Sequence, residues 1–504
     1  MIEPDFDSFA ERYQNGEAQV LWARHVADLD TPVSLMLKLG RAERNTCLLE
    51  SVTGASKRGR YSMVTIKPDL IWRCSGQTAE INRSARWDEA AFEKDTRAPL
   101  ESLRALLDES AIEMPPDLPP MAAGLFGYLG YDMIRHVERL PEPNPDPMGV
   151  PDAVLTRPTL VAILDNVADL VTLVTPVRPQ EGVSAKAAYA QAAERLSDAI
   201  DDLNRGLPAE PASDIPQGSG EAVSNTSKER YFEMVGQARD YIRAGDIFQV
   251  VPSQRWTQDF ELPPFSLYRA LRRTNPSPYM FFFNFGGFQI VGASPEILVR
   301  LTDGVVTIRP IAGTRPRGAT PEEDAALEAD LLADPKERAE HLMLLDLGRN
   351  DVGRVAQIGT VDPNEQFKVE QYSHVMHIVS NVDGRIRDDV DAVDALLAGL
   401  PAGTVSGAPK IRAMQIIDEL ESEKRGIYAG GVGYFGAGGE MDTAIALRTA
   451  VLKDGKMYVQ AGGGVVWDSD PEFEHTETVN KAKALFRAAE EAVRFAAGDR
   501  RANR

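Results

Sequence analysis

The chain has 504 residues, of which 43% are hydrophobic and 26% charged, as in an ordinary globular protein with a sizeable core. Its formal net charge of -21 argues against a nucleic-acid partner or an anionic membrane surface, because phosphate binding relies on clustered Lys and Arg. Neither Cys47 nor Cys74 belongs to a CxxC pair or a Cys/His cluster. A disulfide framework and a zinc site are therefore not expected, and we predict a reducing, cytoplasmic location.

Strand-like and helical patterns alternate in the first part of the chain. TCLLESV (46–52) predicts a strand and PLESLRALLDESA (99–111) predicts a helix. The segment 205–227 is rich in Pro, Gly, Ser and Ala and lacks periodic apolar positions, so we predict a linker there. It would separate an amino-terminal domain, residues 1–204, from a second domain, residues 228–504.

The second part of the chain is dominated by strand patterns. An uncharged stretch, 274–295, contains Pro, Gly and Asn, and therefore predicts strand, turn and strand rather than a membrane span. The predicted strands are YMFFFNF (279–285), FQIVGA (288–293), EILVRL (296–301), VVTIRP (305–310), GVGYFG (431–436), MDTAIALRTAVL (441–452) and KMYVQAGGGVVW (456–467). Short Gly-containing turns join several of them, which favours mainly antiparallel sheets. With helices between and after the strands, we predict an α+β fold.

Two helix starts, DPKERAE (334–340) and DPEFEHTE (470–477), share an unusual arrangement of acids. In each, Asp is placed to cap the helix, Pro takes the first helical position, and two Glu residues three apart lie on one helix face. The pairs are Glu337 with Glu340 and Glu474 with Glu477. Carboxylate oxygens suit Mg²⁺, which commonly takes one or two of them together with water and an anionic substrate. The alternative is a pair of solvated helix starts, with Glu337 completing a capping box.

Three Gly-rich segments punctuate the second part of the chain: PIAGTRPRG (310–318), PAGTVSGAPK (401–410) and AGGGVV (461–466). None has the spacing of a nucleotide-binding loop. Glycine lets backbone N–H groups approach a carboxylate, so these segments are candidates for anion binding, with simple turns as the alternative.

Four further side chains are candidates for a site. A carboxyl placed like that of Glu296, at the start of a strand, is a general acid if it lies in a dry pocket and a solvated strand-end acid otherwise. Either His374 or His377, in YSHVMHIVS, could face a site, although a single His is more often a structural residue. Arg448 is the one cation in an apolar strand pattern, and burying it requires an anionic partner.

In its ordered series of motifs, the chain resembles the anthranilate synthase component I family of chorismate-using enzymes. The resemblance extends from about Asp28 to Ala492. The motifs that carry it are LLES (48–51), NPSPYMFFF (275–283), GASPE (292–296), PIAGTRPRG, AEHLMLLDLGRND (339–351), HVMHIVS (374–380), PAGTVSGAPK, YAGGVGYF (428–435), DTAIALRTA (442–450), AGGGVV and ETVNKAKAL (477–485). It implies large, mainly antiparallel β-sheets packed as a sandwich with helices outside.

The resemblance also implies a reaction. Ammonia would aminate chorismate and pyruvate would then be eliminated, giving anthranilate in the first committed step of tryptophan biosynthesis. Mg²⁺ would be bound by Glu340 and Glu477, Glu296 would protonate the departing C4 hydroxyl, and His377 would serve the elimination. The implied substrate-contacting residues are Gly313, Thr314, Tyr428, Arg448, Gly462, Gly463 and Gly464.

Two positions distinguish the chain from other members. Isochorismate and salicylate synthases, to which it is also similar, carry a Lys base at the position of Gln249, and aminodeoxychorismate synthases carry a nucleophilic Lys at the position of Ala312. The alternative of isochorismate or salicylate formation is thus disfavoured by Gln249. A catalytically silent amino-acid-binding regulator is disfavoured because every acid, His and Arg of the motifs is retained.

The source of ammonia and the regulation are implied by the resemblance as well. Neither cysteine lies in a nucleophile turn, so ammonia would come from free solution or, as the resemblance implies, from a separate glutamine amidotransferase subunit, in a heterotetramer with two copies of each subunit. Tryptophan would act as an allosteric inhibitor at a site containing Ser51, Pro278, Tyr279 and Met280. Plain core packing is the alternative for Tyr279 and Met280.

Overall fold

The computed structural model describes residues 1–41, 43–51, 59–208, 220–372 and 375–502, with side chains to residue 496. The helices in these ranges are α1 (Phe6–Gln14), α2 (Pro32–Leu35), α3 (Pro99–Ser110), α4 (Ala185–Asn204), α5 (Lys228–Ala244), α6 (Pro264–Thr274), α7 (Pro321–Ala333), α8 (Pro335–Gly353), α9 (Ala392–Gly399), α10 (Lys410–Leu420) and α11 (Pro471–Ala502). Short 3₁₀ or π turns occupy Met36–Gly40, Pro120–Ala122, Tyr131–His136 and Gly403–Val405.

Twenty-four strands occur in the same ranges. The strands are β1 (Ile2–Glu3), β2 (Gln19–Val26), β3 (Thr46–Glu50), β4 (Tyr61–Ser75), β5 (Thr78–Asn82), β6 (Phe92–Lys94), β7 (Gly124–Leu129), β8 (Ala153–Asp165), β9 (Leu170–Val177), β10 (Val223–Ser224), β11 (Gln249–Val250), β12 (Ser253–Asp259), β13 (Tyr279–Asn284), β14 (Gln289–Ser294), β15 (Ile297–Thr302), β16 (Val305–Ile308), β17 (Ile311–Pro316), β18 (Asp362–Gln371), β19 (Val375–Arg385), β20 (Gly407–Ala408), β21 (Gly431–Gly436), β22 (Met441–Ile445), β23 (Thr449–Lys453) and β24 (Lys456–Gly462).

Every pairing between the described strands is antiparallel, and 22 of them form one hydrogen-bonded network, with β11 and β20 paired separately. One sheet runs in the order β10-β12-β24-β23-β14-β13-β3-β4-β8-β9-β2-β1. The other runs β6-β5-β4-β8-β7-β21-β22-β15-β16-β19, and β17 and β18 also pair with β19. The long strands β4 and β8 belong to both sheets, and their register shifts between Pro68 and Leu70 where they pass from one to the other.

The two sheets pack face to face, and helices cover their outer faces. Strand β13 shows the layering, because successive side chains of a strand point to opposite faces. Phe281 and Phe283 lie in the cluster between the sheets, whereas Met280 and Phe282 pack outward in a cluster that includes residues of α6 and α11. Burying each Phe contributes about 1.5–3 kcal/mol. The predicted α+β sandwich with helices outside is confirmed.

Strands from before and after the predicted linker pair with each other. β3 pairs with β13, and β7 pairs with β21, so both parts of the chain contribute to both sheets. The division into residues 1–204 and 228–504 stays a prediction, and part of the segment 205–227 lies outside the described residues. No helix in the described ranges combines the length and apolar composition needed to cross a bilayer.

One predicted strand is wrong in a way that matters for the site. The apolar run 441–452 predicts a continuous strand, but the structure has two strands, β22 and β23, separated by a break at Ala446–Arg448. Arg448 adopts a φ of 46°, in the left-handed region, which ends the pleat. The break lets the Arg448 side chain line a cavity.

Candidate active site

The two predicted acid-bearing helix starts are both present. Asp334 caps α8 by accepting hydrogen bonds from the backbone N–H groups of Lys336 and Glu337, at 2.9 and 3.3 Å. Asp470 accepts from the N–H of Phe473 at 2.9 Å at the start of α11. The expected capping box is not completed, because Glu337 Oε1 accepts from Arg315 Nη1 at 3.2 Å and the Asp334 N–H donates to the carbonyl of Asp330.

Both helix starts open onto one cavity of about 510 Å³. Its lining brings together residues that are up to 236 positions apart, from Gln249 to Leu485. Among the predicted residues, those that line it are Glu296, Gly313, Thr314, Glu337, Glu340, His377, Tyr428, Arg448, Gly462, Gly464, Glu474 and Glu477. Gly463 is adjacent to this lining, and His374 lies outside the described residues.

The acids of this cavity carry more negative charge than their surroundings neutralise. Burial raises the pKa of Glu340, and the neighbouring Glu337 and Glu477 raise it further. Burial is also the main cause that raises the pKa of Glu474 to about 7, and its Oε2 is buried without a hydrogen-bond partner. Lys481 offsets part of the charge, since its Nζ lies 3.0 Å from Glu477 Oε1.

This donor set fits a hard divalent cation that takes only part of its ligands from the protein. Within the described ranges, no group of three or more His, Cys, Asp or Glu side chains is close enough to hold a metal by itself. Carboxylates from α8 and α11 face one cavity, and Mg²⁺ characteristically uses one or two carboxylates and completes its shell with water and substrate oxygens. The residues therefore fit Mg²⁺, with Glu340 and Glu477 as the candidate ligands.

Glu296 is buried, with 6% of its surface exposed, at the start of β15. Burial raises its pKa to about 8, against the opposing effect of hydrogen bonds from Thr404 and the backbone of Ile311. The carboxyl group is thus protonated at neutral pH. A buried protonated carboxyl facing a cavity is suited to general-acid catalysis.

His377 lies on β19 directly opposite Thr314 of β17. Its Nδ1 is 3.0 Å from the carbonyl oxygen of Gly313 and 3.1 Å from Thr314 Oγ1. Donation from Nδ1 to the carbonyl leaves Nε2 as the unprotonated nitrogen. Burial and, to a lesser degree, Arg448 lower the pKa of His377, so the ring is neutral and can accept a proton.

Arg448 is a cation at the cavity wall, and burial lowers its pKa. In the described part of the chain its guanidinium forms no ion pair with a carboxylate. A buried guanidinium requires an anion, and it binds carboxylates with two parallel hydrogen bonds. Arg448 is therefore placed to bind an anionic ligand.

The Gly-rich end of β24 lies against this part of the cavity. A Cβ on Gly462 would lie 2.9 Å from the carbonyl oxygen of Pro252 and 3.0 Å from Tyr428 Oη, and one on Gly464 would lie 2.6 Å from Gln249 Nε2. Only glycine leaves this backbone clear of its neighbours. Burial raises the pKa of Tyr428 to about 12, so its hydroxyl stays protonated.

Thr404, Lys336 and Lys481 are among the cavity residues that were not predicted. Thr404 donates to Glu296, Lys336 at the start of α8 lies 3.4 Å from Asp468, and Lys481 donates to the carbonyl of Gly462 at 3.0 Å. Thr404 and Lys481 lie inside motifs that the sequence does show, PAGTVSGAPK and ETVNKAKAL. Spacing alone does not reveal which motif side chains face the cavity.

A second cavity, of about 410 Å³, lies between the two sheets. All four residues predicted for an inhibitor site, Ser51, Pro278, Tyr279 and Met280, line it. Its charged side chains are paired: Arg300 donates to Asp442 Oδ2 at 2.7 Å and to Tyr279 Oη at 3.2 Å.

A family model described as chorismate binding enzyme matches residues 51–487. The chain belongs to this family of chorismate binding enzymes. It is 69% identical over 491 residues to anthranilate synthase component 1 of Cereibacter sphaeroides, covering 97% of this chain and 98% of the relative. It is 51% identical over 468 residues to anthranilate synthase component 1 of Pseudomonas putida, covering 92% and 93%.

Solved structures support the same family assignment. Anthranilate synthase component I from Streptococcus pneumoniae superposes with a TM-score of 0.74 at 38% identity, covering 86% of this chain and 94% of that one. The menaquinone-specific isochorismate synthase MenF from Escherichia coli superposes with a TM-score of 0.70 at 19% identity, covering 96% and 98%, which shows a shared fold. The resemblance to anthranilate synthase component I is confirmed.

Proposed function

We propose that the chain is the large subunit of an anthranilate synthase, which makes anthranilate and pyruvate from chorismate and ammonia in a Mg²⁺-dependent reaction. The observation that carries the proposal is one cavity that combines a protonated buried acid, Glu296, an unneutralised Arg448 and a surplus of carboxylates. The relatives that are 69% and 51% identical bear the name of this enzyme.

Chorismate carries two carboxylates, and the cavity offers two kinds of partner for them. Arg448 and the open backbone at Gly462–Gly464 suit one carboxylate. Glu340 and Glu477 would hold Mg²⁺, which when bound supplies a Lewis acid and a template for the ring carboxylate. Each carboxylate of chorismate would thus have a positively charged partner, even though most charged side chains of the cavity are acids.

The reaction requires one proton to be delivered and another to be removed. As ammonia forms its bond to C2, the C4–O bond breaks, and Glu296 donates its proton so that the C4 hydroxyl leaves as water. The C3–O bond of the aminated intermediate then breaks as the ring becomes aromatic, and the enolpyruvate that leaves takes up a proton at its methylene carbon to become pyruvate. His377, neutral with Nε2 unprotonated, accepts the proton that leaves C2.

The choice of ammonia over water rests on Gln249 and Ala312. Gln249 lines the cavity, is 3% exposed, and donates from Nε2 to Glu340 Oε1 at 3.4 Å. An amide does not remove a proton from water, whereas ammonia is a nucleophile without such help. Ala312 has no nucleophilic group. Formation of isochorismate or salicylate is therefore the disfavoured alternative.

The ammonia would come from glutamine through a separate amidotransferase subunit, with two copies of each subunit in a cytoplasmic heterotetramer. In support, Cys47 and Cys74 are both buried and their burial raises their pKa values, so neither is an activated thiolate. We expect the isolated chain to use ammonium but not glutamine.

Tryptophan would inhibit by binding in the cavity between the sheets. The cavity combines apolar and polar lining, with Met63, Met280 and Phe281 beside Ser51 and the Arg300–Asp442 pair. An indole and an amino-acid backbone need both kinds of surface. This cavity is separate from the one that contains Glu296, so inhibition would be allosteric.

One assay tests the proposed reaction. The purified chain is incubated with chorismate and Mg²⁺, with either ammonium or glutamine, and anthranilate fluorescence is followed while other products are separated by chromatography. We expect anthranilate with ammonium and none with glutamine. Product formed from water alone, with no anthranilate in the presence of ammonium, would overturn the proposal in favour of isochorismate chemistry.

A further inference from the structure

Thr404 is a polar cavity residue whose side chain touches a catalytic group. It lies in the 3₁₀ turn Gly403–Val405, and its Oγ1 is 3.3 Å from Glu296 Oε1 and 3.2 Å from Glu296 Oε2. The hydroxyl is thus nearly equidistant from the two carboxyl oxygens. It reaches whichever of them lacks the proton.

The turn that carries Thr404 is anchored from behind. Arg425, which is 2% exposed and ion-paired with Glu421, donates from Nη1 to the carbonyl of Val405 at 2.6 Å. Ser406 Oγ donates to the carbonyl of Ala402 at 2.8 Å, closing the turn on its other side. Hydrogen bonds on both sides of Thr404 fix its backbone, so its hydroxyl is held in place rather than carried on a free loop.

We propose that Thr404 is a positioning residue for Glu296: its hydroxyl orients the carboxyl group in the cavity and stabilises the carboxylate that remains after the proton is transferred. The inference rests on the proposed function, in which the proton moves from Glu296 to the departing C4 oxygen. Thr404 exchanges no proton itself, and Glu296 regains its proton from the ammonium group formed at C2. A hydrogen bond to a carboxylate is roughly twice as strong as one to a neutral acid, so Thr404 favours the state after transfer.

Thr404→Val tests this, because valine keeps the shape of threonine and removes the hydroxyl. We expect kcat to fall by about 10-fold while KM for chorismate changes less than about twofold, since the lost contact strengthens only during the reaction. The alkaline limb of kcat, measured at a constant concentration of free ammonia, should move to higher pH, because the Thr404 hydrogen bond lowers the pKa of Glu296. Thr404→Ser should restore both the rate and the limb.

A second measurement does not depend on turnover. The carboxyl stretch of Glu296, identified by its loss in Glu296→Gln, is followed by infrared spectroscopy from pH 6 to 10, and it should titrate at higher pH in Thr404→Val than in the parent. An unchanged titration, or a Thr404→Ser variant as slow as Thr404→Val, would overturn the role of Thr404. A parent chain that makes no anthranilate would instead contradict the proposed function, and the infrared result would still decide the role of Thr404.

Discussion

The two cavities of this protein differ most in whether their charges are already neutralised. Between the sheets, Arg300 is paired with Asp442, and Glu50 accepts hydrogen bonds from Arg272 and Tyr268. Burial raises the pKa of Asp442 too, but Arg300 opposes that rise. In the cavity at the starts of α8 and α11, by contrast, neighbouring carboxylates add to burial in raising the pKa values of Glu340 and Glu474. Arg448 there has no ion pair within the described ranges.

This difference indicates what each cavity is built to bind. An unneutralised cluster of acids beside an unneutralised guanidinium is stable only if ligands supply the missing charges. A cation and an anion are thus required together in the catalytic cavity. The cavity between the sheets needs no net charge from its ligand, which suits a zwitterion such as an amino acid.

The largest effect is expected from removing a candidate metal ligand. Glu340→Gln and Glu477→Gln should each lower turnover at least about 10³-fold, because charge stabilisation by a metal is worth several kcal/mol. Glu340→Gln should not destabilise the fold: the raised pKa of Glu340 means that its ionised form is disfavoured in the folded state. Anthranilate fluorescence and thermal unfolding measure the two effects.

Glu472→Gln is the matched control for the metal-ligand variants. Glu472 lies on the same helix as Glu477, but its side chain is 58% exposed and it pairs with Lys228 at 2.7 Å. A surface pair of this kind contributes at most about 1 kcal/mol, so turnover should stay near that of the parent. Retention of Mg²⁺-dependent turnover in Glu340→Gln or Glu477→Gln would contradict the ligand assignment.

Glu296→Gln should lower kcat by about 10²-fold or more, because the proton donor is lost.

Glu296→Gln should also change how the stability of the fold depends on pH. The raised pKa of Glu296 means that its contribution to stability is full below about pH 4.5 and is lost as pH rises to about 8. Glutamine does not ionise, so Glu296→Gln keeps its stability as pH rises. Its free energy of unfolding, measured with denaturant, should therefore increase relative to that of the parent by a few kcal/mol between pH 5 and pH 9. A constant difference would show that Glu296 is not a buried neutral acid.

The smallest effect on turnover is expected from a substitution in the cavity between the sheets, which should change inhibition alone. Ser51→Phe should weaken tryptophan inhibition by about 10-fold and leave uninhibited turnover within about twofold, because the added ring fills part of the 410 Å³ cavity without touching the catalytic one. Ser51→Ala leaves the cavity open and should remain inhibited. The measurement is the inhibition of turnover by tryptophan in the parent, Ser51→Phe and Ser51→Ala. A Ser51→Phe variant that is inhibited like the parent would show that Ser51 does not belong to the inhibitor site.

The sequence predicted regular elements well where one physical signal dominated. An uncharged run rich in aromatic residues gave β13 to within one residue, and the Asp-Pro signals located the starts of α8 and α11. The break at Arg448 was missed, because a positive φ at a non-glycine residue leaves no mark on hydrophobic periodicity. The pairing of Glu337 with Arg315 was missed because it joins separate elements.

The candidate site required more than spacing. The shared pattern of the two helix starts suggested one metal site, but spacing did not show which acid of each pair is a ligand, and only the family resemblance picked Glu340 and Glu477. The structure then placed all four acids on one cavity. Thr404 needed the structure, because only tertiary packing brings it to Glu296. Lys481 follows Glu477 by four residues on α11, so helical spacing could have paired these two side chains.

The claim that the catalytic cavity takes its cation and its anion together is tested most directly by chorismate binding. Isothermal titration calorimetry, without any ammonia source, gives the Kd of chorismate in the presence and absence of Mg²⁺. We expect Mg²⁺ to tighten chorismate binding by about 10-fold or more in the parent chain, and less than about twofold in Glu340→Gln, because binding of the two ligands is coupled. The same Kd with and without Mg²⁺ in the parent would contradict the account.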